Sequence, residues 1–188
     1  MNSREPQDDQ PSLVGRLLDC HTRIREMLSL ASSLAGTPPE TEDDTRASAE
    51  RIARYFTRAL PMHTRDEEES ILPRLTDPDA RAALDRMRGE HHDHERLLQA
   101  LIEPCETLAS SPERWSELRD AIRDAASALE PHMIEHLAEE ERDLFPHLER
   151  LEEATRQSIL DEMDARRAAR GGGGGRGGGG GRGRHRAP

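Results

Sequence analysis

Apolar residues recur at three- and four-residue spacing along most of the chain, the period of a helix with one buried face. One seam reads Leu13, Leu17, His21, Ile24, Leu28 and Ala31. A second reads Ile52, Phe56, Ala59, His63, Glu67 and Ile71. The third is Leu84, Met87, His91, Glu95 (or His94), Leu98 and Leu101, and the fourth is Leu118, Ile122, Ala125, Leu129, Met133, His136, Glu140 and Leu144. β-Branched residues are sparse and no run alternates, so no strands are expected.

Capping and breaking residues set the boundaries. Ser12 is a good N-cap, and helix one runs from near Ser12 to Gly36. Residues Thr37 to Asp44 form a loop that leads into the acidic first turn of helix two, from about Asp44 to Leu75. Asp77-Pro78 opens helix three, which reaches about Ser110, and Ser111-Pro112 opens helix four, which reaches about Leu151. Pro61, Pro104 and Pro131 fall inside these helices and are expected to kink them. A short fifth helix, about Glu153 to Ala169, is amphipathic through Ile159, Leu160 and Met163. The expected fold is all-α: residues 12–169 form an up-down-up-down four-helix bundle with a short C-terminal helix. Residues 1–11 are polar with two prolines, and residues 170–188 are a Gly/Arg-rich tail; both are expected to be disordered.

Composition narrows the function. Charged residues make up 35% of the 188 residues and the net charge is -11, while no apolar run approaches a membrane span. All acidic residues lie at or before Asp164, so the body carries -18 and the tail +7. A body this acidic repels nucleic acid and suits cations. The Arg/Gly tail lacks interleaved aromatics that stack on bases, which leaves it weak electrostatic contacts at most. Met1 to Gln10 holds no hydrophobic stretch of a secretory signal, and Cys20 and Cys105 cannot build a disulfide scaffold. A cytoplasmic protein is expected.

A histidine interrupts every seam, and on the second and fourth a glutamate follows it one turn later. Ionised carboxylates in a leucine core cost several kcal/mol unless paired, and no arginine lies on these seams at that level. A metal is the simplest partner, and imidazole with carboxylate suits iron, manganese or zinc. An internal repeat strengthens the reading. His63-x3-Glu67-Glu68-x4-Pro73 matches His136-x3-Glu140-Glu141-x4-Pro146 at an offset of 73 residues. His21 matches His91 at an offset of 70 residues. Two helical hairpins related by a pseudo-two-fold axis would bring two half-sites face to face, with Glu67 and Glu140 placed to bridge.

The order His21, His63-x3-Glu67, His91, His136-x3-Glu140 resembles the hemerythrin-like, or HHE cation-binding, domain family. His63 to Leu75 and His136 to Leu148 look like that family's signature. The resemblance implies a four-helix bundle holding a non-haem di-iron centre, two ions bridged by Glu67, Glu140 and an oxo or hydroxo group, with His21, His63, His91 and His136 as terminal ligands. It implies binding or sensing of dioxygen, peroxide or nitric oxide, or iron handling. The oxygen-carrying members resemble five-histidine sites with a His-x3-His pair on the third helix; here Glu95 stands at that spacing and His94 lies one residue short of it. Glu95 and His94 are therefore additional candidate ligands, and His132, one turn before His136, is a candidate neighbour of the ligands. Glu68, Glu69, Glu139 and Glu141 read as a solvated acidic face, and Cys20 as a small core residue.

Other metal-site motifs are missing. No Glu-x-x-His pair of the ferritin type and no HExxH occur. Two further functions stay open: a di-iron enzyme that consumes peroxide or reduces nitric oxide, and a metal-free interaction module.

Overall fold

The computed structural model describes residues 12–171, and every regular element among them is helical. The expected disordered termini lie outside the described residues, except that Arg170 and Gly171 close the last helix. Helix α1 spans Leu13–Gly36 and is capped by Ser12, whose side chain accepts the Gly15 N–H at 3.0 Å. Helix α2 spans Glu42–Arg54, two residues earlier than expected, because the Thr41 hydroxyl accepts the Asp44 N–H at 3.1 Å. The same segment continues through a π-helical turn (Tyr55–Ala59), α3 (Leu60–Arg65), a second π-helical turn (Asp66–Ile71) and a 3-10 turn (Leu72–Arg74). Helix α4 spans Pro78–Ser110, its first N–H groups received by the Asp77 carboxylate. Ser111 makes no capping bond; a 3-10 turn (Pro112–Arg114) precedes α5 (Trp115–Glu139), which passes through a third π-helical turn (Glu140–Leu144) into α6 (Phe145–Glu149). Helix α7 spans Glu153–Gly171.

Three prolines sit at widened turns of the helices. Helices α4 and α5 run on through Pro104 and Pro131. Widened turns sit just ahead of Pro61, one of the prolines expected to disturb its helix, and also ahead of Pro73 and Pro146. In each case the residue before the proline donates its N–H five residues back: Leu60 to Tyr55, Leu72 to Glu67, and Phe145 to Glu140. Proline has no N–H and its ring crowds the carbonyl four residues earlier, so a wider turn relieves the conflict. The His-to-Pro repeat thus encodes a π-helical turn in each half, and each turn holds a buried glutamate.

Helix α1 packs on α2 and α5, and α4 packs on the same two, which closes a ring of four long helical segments. The Trp115 indole N–H donates to the Leu34 carbonyl at 2.8 Å and ties the start of α5 to the end of α1. The apolar interior falls into two clusters. One runs from Ile24 to Leu34 on α1 and includes Ile52, Phe56, Leu101, Cys105, Ile122 and Leu129. The other gathers Leu13, Leu17, Ile71, Leu84, Met87, Leu144 and Leu148 with Ile159 and Met163 of α7. The seam histidines lie between the two clusters, so a polar layer crosses the interior where the heptads lose their leucines.

Helix α7 is fastened beside that layer. The Asp66 carboxylate, fully sealed from solvent, takes the guanidinium groups of Arg166 and Arg167. Arg74 pairs with Glu162, and Arg16 with Asp164.

Candidate metal centre

Six side chains converge in the polar layer: His21 from α1, His63 and Glu67 from the second long segment, His91 from α4, and His136 and Glu140 from the fourth. Two of the potential ligand groups share a carboxylate: His21, His63, Glu67 and Glu140 form one, and His91, His136 and Glu140 the other. Both glutamates span the layer. Glu140 Oε2 lies 2.9 Å from His21 Nε2, and its Oε1 lies 2.8 Å from His136 Nε2. Glu67 Oε1 lies 3.1 Å from His63 Nε2, and its Oε2 lies 3.4 Å from His91 Nε2. Exchanging the two halves of the chain maps each of these contacts onto another, which is the arrangement a pseudo-two-fold repeat demands.

The polar atoms here are close without being satisfied. His21 Nε2, both His63 ring nitrogens, Glu67 Oε2 and both Glu140 oxygens are buried and lack a hydrogen-bond partner. Buried polar atoms are almost always paired, so a cluster of unpaired ones demands a missing partner. Electrostatics agree. Burial pushes the Glu67 carboxyl well above the usual carboxylate range, and the facing Glu140 pushes it further. Burial opposes the ionisation of Glu140 too, but His136, His21 and His63 outweigh it and hold that carboxyl below its ordinary value. Burial lowers His63 to about 3 and lowers His91 as well, which keeps both rings neutral. Burial also works against a charged His136, yet Glu140 and Glu90 outweigh it and raise that ring. With His63 and His91 held neutral, the protein alone faces two carboxylates with each other that cannot both ionise cheaply. A cation between them removes the conflict, and the N/O donor set fits a borderline or hard transition metal.

Carboxylates also face the outer ring nitrogens. Glu141 Oε1 lies 2.8 Å from His21 Nδ1, and Arg25 holds the same oxygen at 2.8 Å. Glu68 Oε1 lies 3.4 Å from His91 Nδ1, and Glu90 Oε2 lies 2.7 Å from His136 Nδ1. Such contacts fix ring orientation and raise the basicity of the inner nitrogen. The reading of Glu68 and Glu141 as a solvated acidic face is therefore corrected: both are half-buried on the histidines. The repeated Glu-Glu pair was the signal, its first member facing the layer and its second a histidine of the neighbouring segment. Glu90 was overlooked; its mark was adjacency to His91.

The remaining candidates separate clearly. His94 is buried with its ring 5.3 Å from that of His136. Glu95 lies outside the cluster, 72% exposed at its side chain and paired with His92. His132 is exposed and reaches only His94, at 6.2 Å between rings. A void of about 30 Å³, room for roughly one water-sized molecule, borders His63, His91, His94 and His136. A larger cavity of about 530 Å³ opens on the other side, lined by Cys20, Tyr55, Met62, His63 and several arginines.

The profile of the hemerythrin HHE cation-binding domain matches residues 12–133. No curated protein and no solved structure matches the chain. Among the described residues no helix is long and apolar enough to cross a membrane.

Proposed function

Because the chain belongs to the hemerythrin HHE cation-binding family, we propose that it is a cytoplasmic up-down-up-down four-helix bundle that holds two iron ions and binds or senses dioxygen, peroxide or nitric oxide. Handling of iron itself is the nearest variant of this reading. The observation that carries it is the set of buried, unpaired nitrogen and oxygen atoms on His21, His63, Glu67 and Glu140. His21 and His63 would serve one ion and His91 and His136 the other, with Glu67 and Glu140 between them. When bound, iron supplies an open coordination position and reversible redox chemistry for a small ligand.

The chain's own residues supply the rest. Glu141, Glu68 and Glu90 orient the His21, His91 and His136 rings. The two apolar clusters above and below the layer exclude bulk water and lower the local dielectric. The small void beside His63, His91, His94 and His136 is where a small ligand would meet the site. Buried His94 lines that void and can exchange a hydrogen bond with a ligand there.

An enzymatic reading, peroxide consumption or nitric oxide reduction at the same site, draws support from the cavity that reaches His63 from solvent. Titration of the aerobic protein with peroxide or nitric oxide, followed by visible absorption, tests both. A saturating spectral change that is lost in Glu67→Ala supports binding or sensing. Many equivalents consumed per chain support turnover. No spectral response to dioxygen, peroxide or nitric oxide rules against the small-ligand role.

A further inference from the structure

A groove runs along the outside of the bundle between α1 and the second long segment. Two cavities, of about 530 Å³ and about 610 Å³, share Glu26, Met27 and Arg51 and so adjoin. Together they follow α1 from Cys20 to Ser33. That stretch of helix is on the order of 20 Å long, the reach of about six residues of extended chain. At one end the Tyr55 hydroxyl donates to the Cys20 carbonyl at 3.4 Å and ties the two walls together. Arg167, held by Asp66, lines the same end.

The charge of this groove runs against that of the chain. Arg23, Arg51 and Arg54 line it, are exposed, and make no hydrogen bond or ion pair among the described residues. Arg51, Arg54 and Arg58 follow one another at spacings of three and four, which sets them on one face of their segment. Glu26 is the one carboxylate among the lining residues of either cavity. Elsewhere guanidinium groups pair across helices: Arg25 with Glu141, Arg74 with Glu162 and Arg166 with Asp66. A chain with 38 acidic residues does not lack carboxylates for the same purpose here. Neighbouring like charges left unpaired favour an anion brought from outside. Met27, Leu30, Tyr55 and Met62 add apolar surface along the groove.

We propose that this groove is the docking surface for a short acidic segment of a partner protein, in which carboxylate and apolar side chains alternate. Successive side chains of an extended segment point to opposite sides. Carboxylates on one side meet Arg51 and Arg54, and apolar side chains on the other lie along Met27 and Leu30 of α1. Arg23 and Arg58 add to the positive field that draws the segment in. A second copy of this chain is a poor occupant, because net charges of -11 repel each other. A nucleic-acid strand that runs past the groove meets the acidic body, whereas a short segment ends within it. Neither Arg51 nor Arg54 belongs to the metal cluster, so the proposal stands apart from the iron reading.

Fluorescence anisotropy with the full chain and a dye-labelled hexapeptide of alternating glutamate and leucine tests it, with metal content measured first on the same sample. Saturable one-to-one binding is expected, at least roughly tenfold tighter than for peptides with glutamine in place of glutamate or serine in place of leucine. The exposed pair Arg51→Glu and Arg54→Glu should weaken binding by at least roughly tenfold with metal content unchanged. Arg86→Glu with Arg96→Glu changes the net charge equally at exposed positions of α4 and should leave binding within about twofold of the wild type. Absence of saturable binding, equal binding of the glutamine or serine peptide, or equal loss in both arginine pairs overturns the proposal. Tighter binding of a uridine hexanucleotide, or dimerisation of the free chain that Arg51→Glu with Arg54→Glu abolishes, assigns the groove to another occupant and overturns it too.

Discussion

His21 Nε2 and Glu140 Oε2 lie 2.9 Å apart, both sealed from solvent, and neither makes a hydrogen bond. The two atoms share a space rather than a proton. A metal ion in that space turns a costly juxtaposition into a ligand pair. Glu140→Ala should therefore strip most of the metal, because Glu140 belongs to both ligand groups. Metal present at about 100 times its Kd adds ~2.7 kcal/mol, so the variant should melt about 5–10 °C below the loaded wild type. Calorimetry with and without a chelator checks this: the chelator should lower the wild type to the level of the variant.

The outer carboxylates should matter more than their sequence positions suggest. Glu90→Gln keeps the shape but removes the charge that faces His136 Nδ1. A loss of about 10- to 100-fold in metal affinity is expected. Glu95→Gln, a change at a solvent-exposed carboxylate on the same helix, should leave affinity unchanged. Competition with a chromophoric chelator measures both.

Asp66 should control the docking of α7. Its carboxylate is buried and takes both Arg166 and Arg167. Asp66→Ala removes the buried carboxylate that both guanidinium groups share, leaving Arg166 with Glu69 and Ser70 and Arg167 with the Met163 carbonyl. The expected cost is about 2–3 kcal/mol, below the ~3–5 of a fully buried pair because Arg167 is one-third exposed. Hydrogen exchange should show α7 opening first, ahead of α4 and α5.

Cys105 gives the folded chain an alkaline limit. Burial raises its thiol from 9.0 to about 12, with Glu106 adding to the shift. Between those values the unfolded chain loses a proton that the folded chain keeps. Stability from this thiol is thus intact below pH 9.0 and declines as pH rises toward about 12. At a pH midway, the contribution lost is about 2 kcal/mol. Denaturant titrations across this window should show a shallower decline in Cys105→Ala than in the wild type.

Much of this was legible in the sequence because a helix repeats. The seams exposed the helices, and the His-x3-Glu-Glu repeat singled out the residues that the structure brings together. What escaped reading lay between the periods. Pro61 marks a disturbed turn, but the form it takes, a widened turn there and ahead of Pro73 and Pro146, is not written in the spacing. A period of 3.6 residues has no place for such turns. On α4 the spacing of four favoured Glu95, but the inward face steps Met87, half-buried His91, buried His94, Leu101 and Cys105, so the spacing of three turns His94 inward. Glu68, Glu90 and Glu141 sit beside seam residues, and only the packing of neighbouring segments reveals which histidine each one meets.

The metal content of the untagged, aerobically purified protein, determined by mass spectrometry together with its visible spectrum, is the most direct test of the central claim. The account predicts about two irons per chain with ferric absorption, and loss of both in Glu140→Ala. Zinc in place of iron, or a stable chain that binds no metal at all, would contradict it.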